Sequence, residues 1–355
     1  MAKILIKNGR VWDGEGFIDA DVLVAGDKIA KIEKGITDGA DLVFDVAGMI
    51  VSAGLVDIHV HMRGISCDTF GTQAEMSCFP FGVTAAADAG GGLGDEKLLD
   101  SFTLKSAVFV GVNIVNNRSD LKAIERELPR FGERVVGVKI CFDETYSDAR
   151  DIMPLREACE FAHSRGLRVM VHCSNSPAKM SEILDTLDAG DILTHAFHGG
   201  KNNAAEDEFA GLIMAKERGV IIDTGMAGYV HTDFGVLREA IRHGALPDTI
   251  STDITRCSAY IRGGRYGMTT CMSIMRSLGM AEEDIFRAVT ATPAGAIGRE
   301  EVWGSLKVGG SADIAVLDYT GEGFDMTDSR GNRIFSTKGY RCKLTVLNGE
   351  IVYRD

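Results

Sequence analysis

Between residues 53 and 300, short apolar runs alternate with amphipathic stretches. The runs are Gly54–Val60, Ala85–Asp88, Val108–Val115, Val135–Ile140, Arg168–His172, Ile192–His195, Val220–Asp223 and Thr249–Thr252. Between them lie helical patterns at Leu121–Leu128, Ile152–Ser164, Ser181–Leu187, Asp207–Arg218 and Phe234–His243. Strand and helix in strict alternation predict a parallel sheet, because a crossover helix is what connects parallel neighbours. Eight such runs predict an α/β fold, a (β/α)8 TIM-like barrel over residues 53–301, with its working face at the C-terminal strand ends.

Both ends of the chain read differently. Lys3–Ile6, Ala20–Ala25, Lys28–Glu33 and Asp41–Asp45 alternate like strands, as do Ala312–Asp318 and Leu344–Val352, the last carrying an Asn348-Gly349 hairpin signal. Residues 1–52 plus 302–355 are therefore expected to form a small composite β-sandwich domain.

Polar residues stand where a barrel enzyme needs them. His59 and His61 are separated by one residue at the end of the first run, so both imidazoles can leave one strand end together. Neutral imidazole is a common metal ligand. Lys139 interrupts Val135-Val136-Gly137-Val138-Lys139-Ile140, which is otherwise apolar. His172, His195 and Asp253 end three further runs. The bland alternatives are a hydrogen-bonded structural histidine, a lysine reaching solvent from a strand end, and a helix N-cap for Asp253. All six positions falling at or near strand ends favour a site.

A net charge of −13 argues against nonspecific binding to nucleic acid or to an anionic membrane. It leaves room for an anionic small-molecule substrate held by local arginines. The eight cysteines form no CxxC pair, the opening Met-Ala-Lys-Ile-Leu-Ile-Lys-Asn lacks the apolar core of a signal peptide, and no apolar run reaches transmembrane length. A reduced, cytoplasmic setting is expected.

The constellation resembles the amidohydrolase superfamily of metal-dependent hydrolases. The resemblance rests on His59-Val60-His61, on the spaced Lys139, His172, His195 and Asp253, and on the flanks Gly48 to Asp57, Ala291 to Gly298 and Gly304 to Ile314. It is similar to the binuclear branch that holds dihydroorotases, hydantoinases and N-acyl amino acid deacylases, and in wording to a deacetylase-like group. The resemblance implies two divalent metal ions, taken as zinc. His59, His61 and Asp253 would hold one and His172 and His195 the other. Lys139, carboxylated by carbon dioxide, would bridge them; burial lowers a lysine's pKa and frees the amine for that reaction. A bridging hydroxide would attack the substrate carbonyl, with Asp253 as catalytic proton shuttle. A homo-oligomer is also implied.

The expected reaction is deacylation, through amide or ester hydrolysis, of a small carboxylate-bearing substrate such as an N-acyl amino acid or acylated hydroxy acid. A cyclic amidohydrolase of dihydroorotase or hydantoinase type is the alternative. Arg63 is the expected carboxylate anchor, with Arg265, His198 and His231 as further substrate-binding candidates. A mononuclear deaminase is disfavoured because Cys173-Ser174-Asn175 follows His172 with no glutamate. A non-catalytic scaffold is disfavoured by the complete ligand set.

Overall fold

A computed structural model describes residues 2–64, 70–90, 96–261, 266–320 and 323–355. Seven parallel strands run in spatial order of sequence: Leu55–Val60, Val83–Asp88, Lys105–Val112, Val135–Cys141, Arg168–His172, Ile192–Thr194 and Ile221–Ile222. The eighth expected strand is absent as a strand. Residues 249–254 instead make isolated parallel bridges, Thr249 to Asp223 and Ile254 to Val60, which join the two edges of the curled sheet.

Side chains replace the missing ladder. Thr249 and Ser251 hydroxyls donate to Asp223, and the Thr252 hydroxyl donates to Asp57 at 2.6 Å. Both carboxylates are buried. Buried polar groups need such partners, so a hydroxyl-rich segment tying two carboxylates is a sound way to finish the ring.

Inside the ring, Val56, Ile58, Ala85, Phe109, Met170 and Ile192 share one buried cluster. They come from strands that are not all adjacent, as a filled barrel interior requires. Outside, helices bury one stripe each; Met153–His163 buries Leu155, Ala158, Cys159 and Ala162. Asp120 and Asp233 cap the helices Leu121–Phe131 and Phe234–Arg242 by accepting backbone N–H groups.

Strands from both ends of the chain meet in one eight-stranded sheet. Ile50–Ala53 pairs antiparallel with Ile314–Thr320, and Gly339–Leu347 turns at Asn348-Gly349 into Glu350–Arg354. Both turn residues have positive φ, 49° and 78°, as the tight hairpin predicted by Asn-Gly demands. By hydrogen bonding these strands form one continuous sheet. Ile4–Trp12 pairs with Leu42–Asp45 at one end and Ile50–Ala53 at the other, so a single strand links the pieces. A second hairpin, Phe324–Thr327 with Arg333–Ser336, has no counterpart in the sequence reading.

Candidate metal centre

The chain folds so that six polar side chains meet at the C-terminal strand ends. His59, His61, Lys139, His172 and Asp253 line a cavity of roughly 480 Å³ together with His231. The Asp253 Oδ1 atom lies 2.8 Å from His61 Nε2 and 3.2 Å from His59 Nε2. Its Oδ2 atom lies 3.9 Å from His195 Nε2. Asp253 thus faces both halves of the site. His59, His61 and Asp253 form one compact donor group, and His172, His195 and His231 form another.

Lys139 joins them. Its Nζ is 2.8 Å from His59 Nε2, and its charge bears on His59, His172 and His195. Burial lowers the Lys139 pKa to about 8, against the pull of Asp253. Burial and then the neighbouring lysine lower His59 to about 4. Burial, followed by the flanking imidazoles, holds His195 well below its ordinary value. Burial raises Asp253, but the imidazoles of His59, His61 and His231 outweigh it and keep the carboxylate ionised. Burial thus favours neutral imidazoles at His59, His172, His195 and His231 beside a charged carboxylate, the protonation states a cation needs.

The outer hydrogen bonds aim the lone pairs inward. Thr194 Oγ1 donates to Asp223 at 2.7 Å and so accepts from His59 Nδ1 at 2.9 Å. His61 Nδ1 donates to the Gly90 carbonyl at 3.0 Å, and His195 Nδ1 to the Gly225 carbonyl at 2.6 Å. Each bond leaves Nε2 as the bare nitrogen. His172 is held differently: its Nε2 faces Asp143 at 3.3 Å and Ser174 at 3.1 Å. Such outer partners fix tautomer and ring orientation in metal centres.

Two backbone features support this aim. His195 and Asp253 both have positive φ, 61° and 48°, a conformation disfavoured for residues with a side chain and concentrated at functional sites. Gly225 also sits at positive φ, and a Cβ there would lie 2.5 Å from His195 Nδ1. Only glycine lets that carbonyl reach the ring.

The donor set fits divalent cations. Among the described residues, the fully buried His195 Nε2 finds no hydrogen-bond partner, and a buried nitrogen left this way costs free energy. Nitrogen and oxygen donors at this density suit zinc and its first-row neighbours.

The substrate-binding candidates divide. His231 lines the cavity, with Nδ1 2.8 Å from Ser174 Oγ and burial lowering its pKa to about 3. It also belongs to the second donor group, a role the sequence did not suggest. Arg63 does not line the cavity. It is buried, its guanidinium pairs with Asp88 at 2.9 Å, and it lies over the Phe131 ring. Asp88, fully buried at the end of the second strand, also accepts the backbone N–H groups of Met62, Arg63 and Gly90. Arg63 is the counter-ion of Asp88 in the turn after His61. His198 is likewise buried behind the site; its Nδ1 accepts Gly200 N–H, and it is not among the described cavity-lining residues. Arg265 lies outside the described residues.

Sequence reasoning missed Asp143, which orients His172, Thr194 and Asp223, which together orient His59, and Tyr146, whose ring meets His172 and His231 at the cavity mouth. Asp223 ended a predicted strand and Thr194 preceded His195, so position was a usable signal for both.

Residues 50–352 match the profile of the Amidohydrolase family. A deacetylase of Enterococcus faecalis is 30% identical over 98% of this chain and 98% of its own length. A crystal structure of a dihydroorotase superposes with a TM-score of 0.87 at 26% identity, covering 100% of this chain and 98% of that one. A crystal structure of an adenine deaminase superposes with a TM-score of 0.83 at 27% identity, with both chains fully covered.

Proposed function

Because this chain belongs to the amidohydrolase family, an enzyme family that hydrolyses C–N bonds, we propose that it is a binuclear zinc deacylase acting on a small carboxylate-bearing substrate. An N-acyl amino acid or acylated hydroxy acid is the substrate class, and the scissile bond is an amide or an ester. The observation that carries this reading is Asp253, with one oxygen on the first donor group and the other facing His195 of the second.

His59, His61 and Asp253 would hold one cation and His172 and His195 the other, with Lys139 as a carbamate between them. Bound cations would supply Lewis acidity, acidifying a water and polarising the substrate carbonyl. Asp253 accepts the proton released as water attacks and delivers it to the departing amine or alcohol. His231 and Tyr146 stand at the cavity wall to orient the acyl group. Among the described residues no arginine lines the cavity; Arg265 keeps its expected role of binding the substrate carboxylate. The 30% identical deacetylase supports acyl transfer to water. The proposed partners are a small anionic substrate and further copies of the chain. Among the described residues, no helix is long and apolar enough to cross a membrane.

The alternative is a cyclic amidohydrolase, favoured by the superposition on a dihydroorotase. One screen decides. Zinc-loaded enzyme is given N-acetyl amino acids, O-acetyl hydroxy acids, dihydroorotate, a hydantoin and adenine, with metal content measured alongside. Two metals per chain and fastest turnover of an acylated acid support the proposal. Faster ring opening selects the alternative. Adenine deamination with one metal would overturn both.

A further inference from the structure

A second cluster of metal-ligating side chains lies apart from the cavity. Cys159 and His163 are four residues apart on the helix Met153–His163 and so share one face. Asp191 directly precedes the sixth barrel strand, Ile192–Thr194. The Cys159 sulfur, a His163 ring nitrogen and an Asp191 oxygen all lie within 4.8 Å of one another. None of these residues serves the site already described.

The hydrogen bonding is that of a built site. His163 Nε2 is 2.9 Å from Asp191 Oδ2, and its Nδ1 is 3.1 Å from Asp188 Oδ2. A carboxylate on the far nitrogen of an imidazole is the arrangement that orients a metal-bound histidine. Asp191 is buried and held in place by the backbone N–H groups of Val169 and Asp188. Cys159 is buried too, but a surface cleft of roughly 340 Å³ touches both it and His163. Glu160, Glu182 and Asp185 line that cleft against a single arginine, Arg156. The field at the entrance therefore favours a cation.

We propose that Cys159, His163 and Asp191 form a structural site for a thiophilic divalent cation, zinc or cobalt, with Asp188 orienting the histidine. A sulfur, nitrogen and oxygen donor set selects such ions over magnesium or calcium. On binding, the Cys159 thiol releases its proton to solvent and the thiolate becomes the ligand. The fourth position opens on the cleft and takes water. The site pins the helix to the entry of the sixth strand and, through Val169, to the fifth. His172 and His195 leave the opposite ends of those two strands. Its effect is on stability, as expected at the N-terminal face of a barrel.

The test uses the full chain loaded with cobalt. Wild type should show a thiolate-to-cobalt charge-transfer band in the near ultraviolet, and Cys159→Ser should lack it. By elemental analysis Cys159→Ser and His163→Asn should each carry one metal fewer than wild type, whatever the count at the main centre. Hydrolytic turnover should stay unchanged. Asp188→Asn should weaken cobalt binding at this site by about 10–100-fold. Absence of the band in wild type overturns the proposal without recourse to any variant. So does a band that survives in Cys159→Ser, which would assign it to another thiol such as the cavity-lining Cys141.

Discussion

Lys139 Nζ stands 2.8 Å from His59 Nε2, and both side chains are buried. The Thr194 hydroxyl fixes the His59 proton on the opposite nitrogen, so the lysine faces a lone pair. An amine lowered to about 8 by burial is available to react with carbon dioxide near neutral pH. Lys139→Met should therefore lose bound metal, and activity should fall by at least about 100-fold, since even outer partners of a metal cost 10–100-fold. Elemental analysis and turnover on the best acyl substrate check this. Full metal content in the variant would remove Lys139 from the centre.

Thr194 acts one step further out. Thr194→Val keeps the volume but takes the acceptor from His59 Nδ1 and one of three hydroxyl donors from Asp223. Zinc affinity, measured by competition with a chromophoric chelator, should drop by about 10–100-fold. Circular dichroism should be unchanged. An unaltered affinity would mean that His59 needs no help to hold its tautomer.

Arg63 is a matter of stability. Among the described residues, Arg63→Met leaves the buried Asp88 charge with backbone donors alone, and breaking a buried pair from one side costs about 3 kcal/mol. Urea unfolding should show that loss, and Arg63→Met/Asp88→Asn should regain part of it. A variant of normal stability with a raised KM would restore Arg63 as a substrate anchor.

His198 gives a pH dependence. Burial, then the charge of His172, lower its pKa to about 4 from the ordinary 6.5. Below 6.5 the unfolded chain takes up a proton that the folded chain refuses until pH 4. The stabilisation is thus present above 6.5 and is lost as pH falls toward 4. Between pH 7 and 5 wild type should lose about 2 kcal/mol more than His198→Gln. Metal-free protein unfolded in urea at both pH values gives the comparison, and equal losses would refute it.

Much of the site was legible in one dimension. His59, His61, Lys139, His172, His195 and Asp253 stand at strand ends in the sequence and meet in space. Strand alternation is a local property, and a parallel ring carries every C-terminal end to one face. The eighth strand was misread for the same reason: Thr249 to Thr252 has strand-forming residues, but its hydroxyls bind Asp223 and Asp57 and the backbone keeps only isolated bridges.

The sequence by itself determined the alternation of strands and helices and the metal-ligating residue types at their ends. Both depend on neighbours a few positions apart. Only the tertiary structure decided which partner each polar group meets. Arg63 finds Asp88 25 residues away, and His59 reaches Thr194 135 residues away. His231 leaves its loop to join His172 and His195. Pairings at that separation follow from the closure of the ring, since burial forces each polar group to take the partner that packing sets beside it.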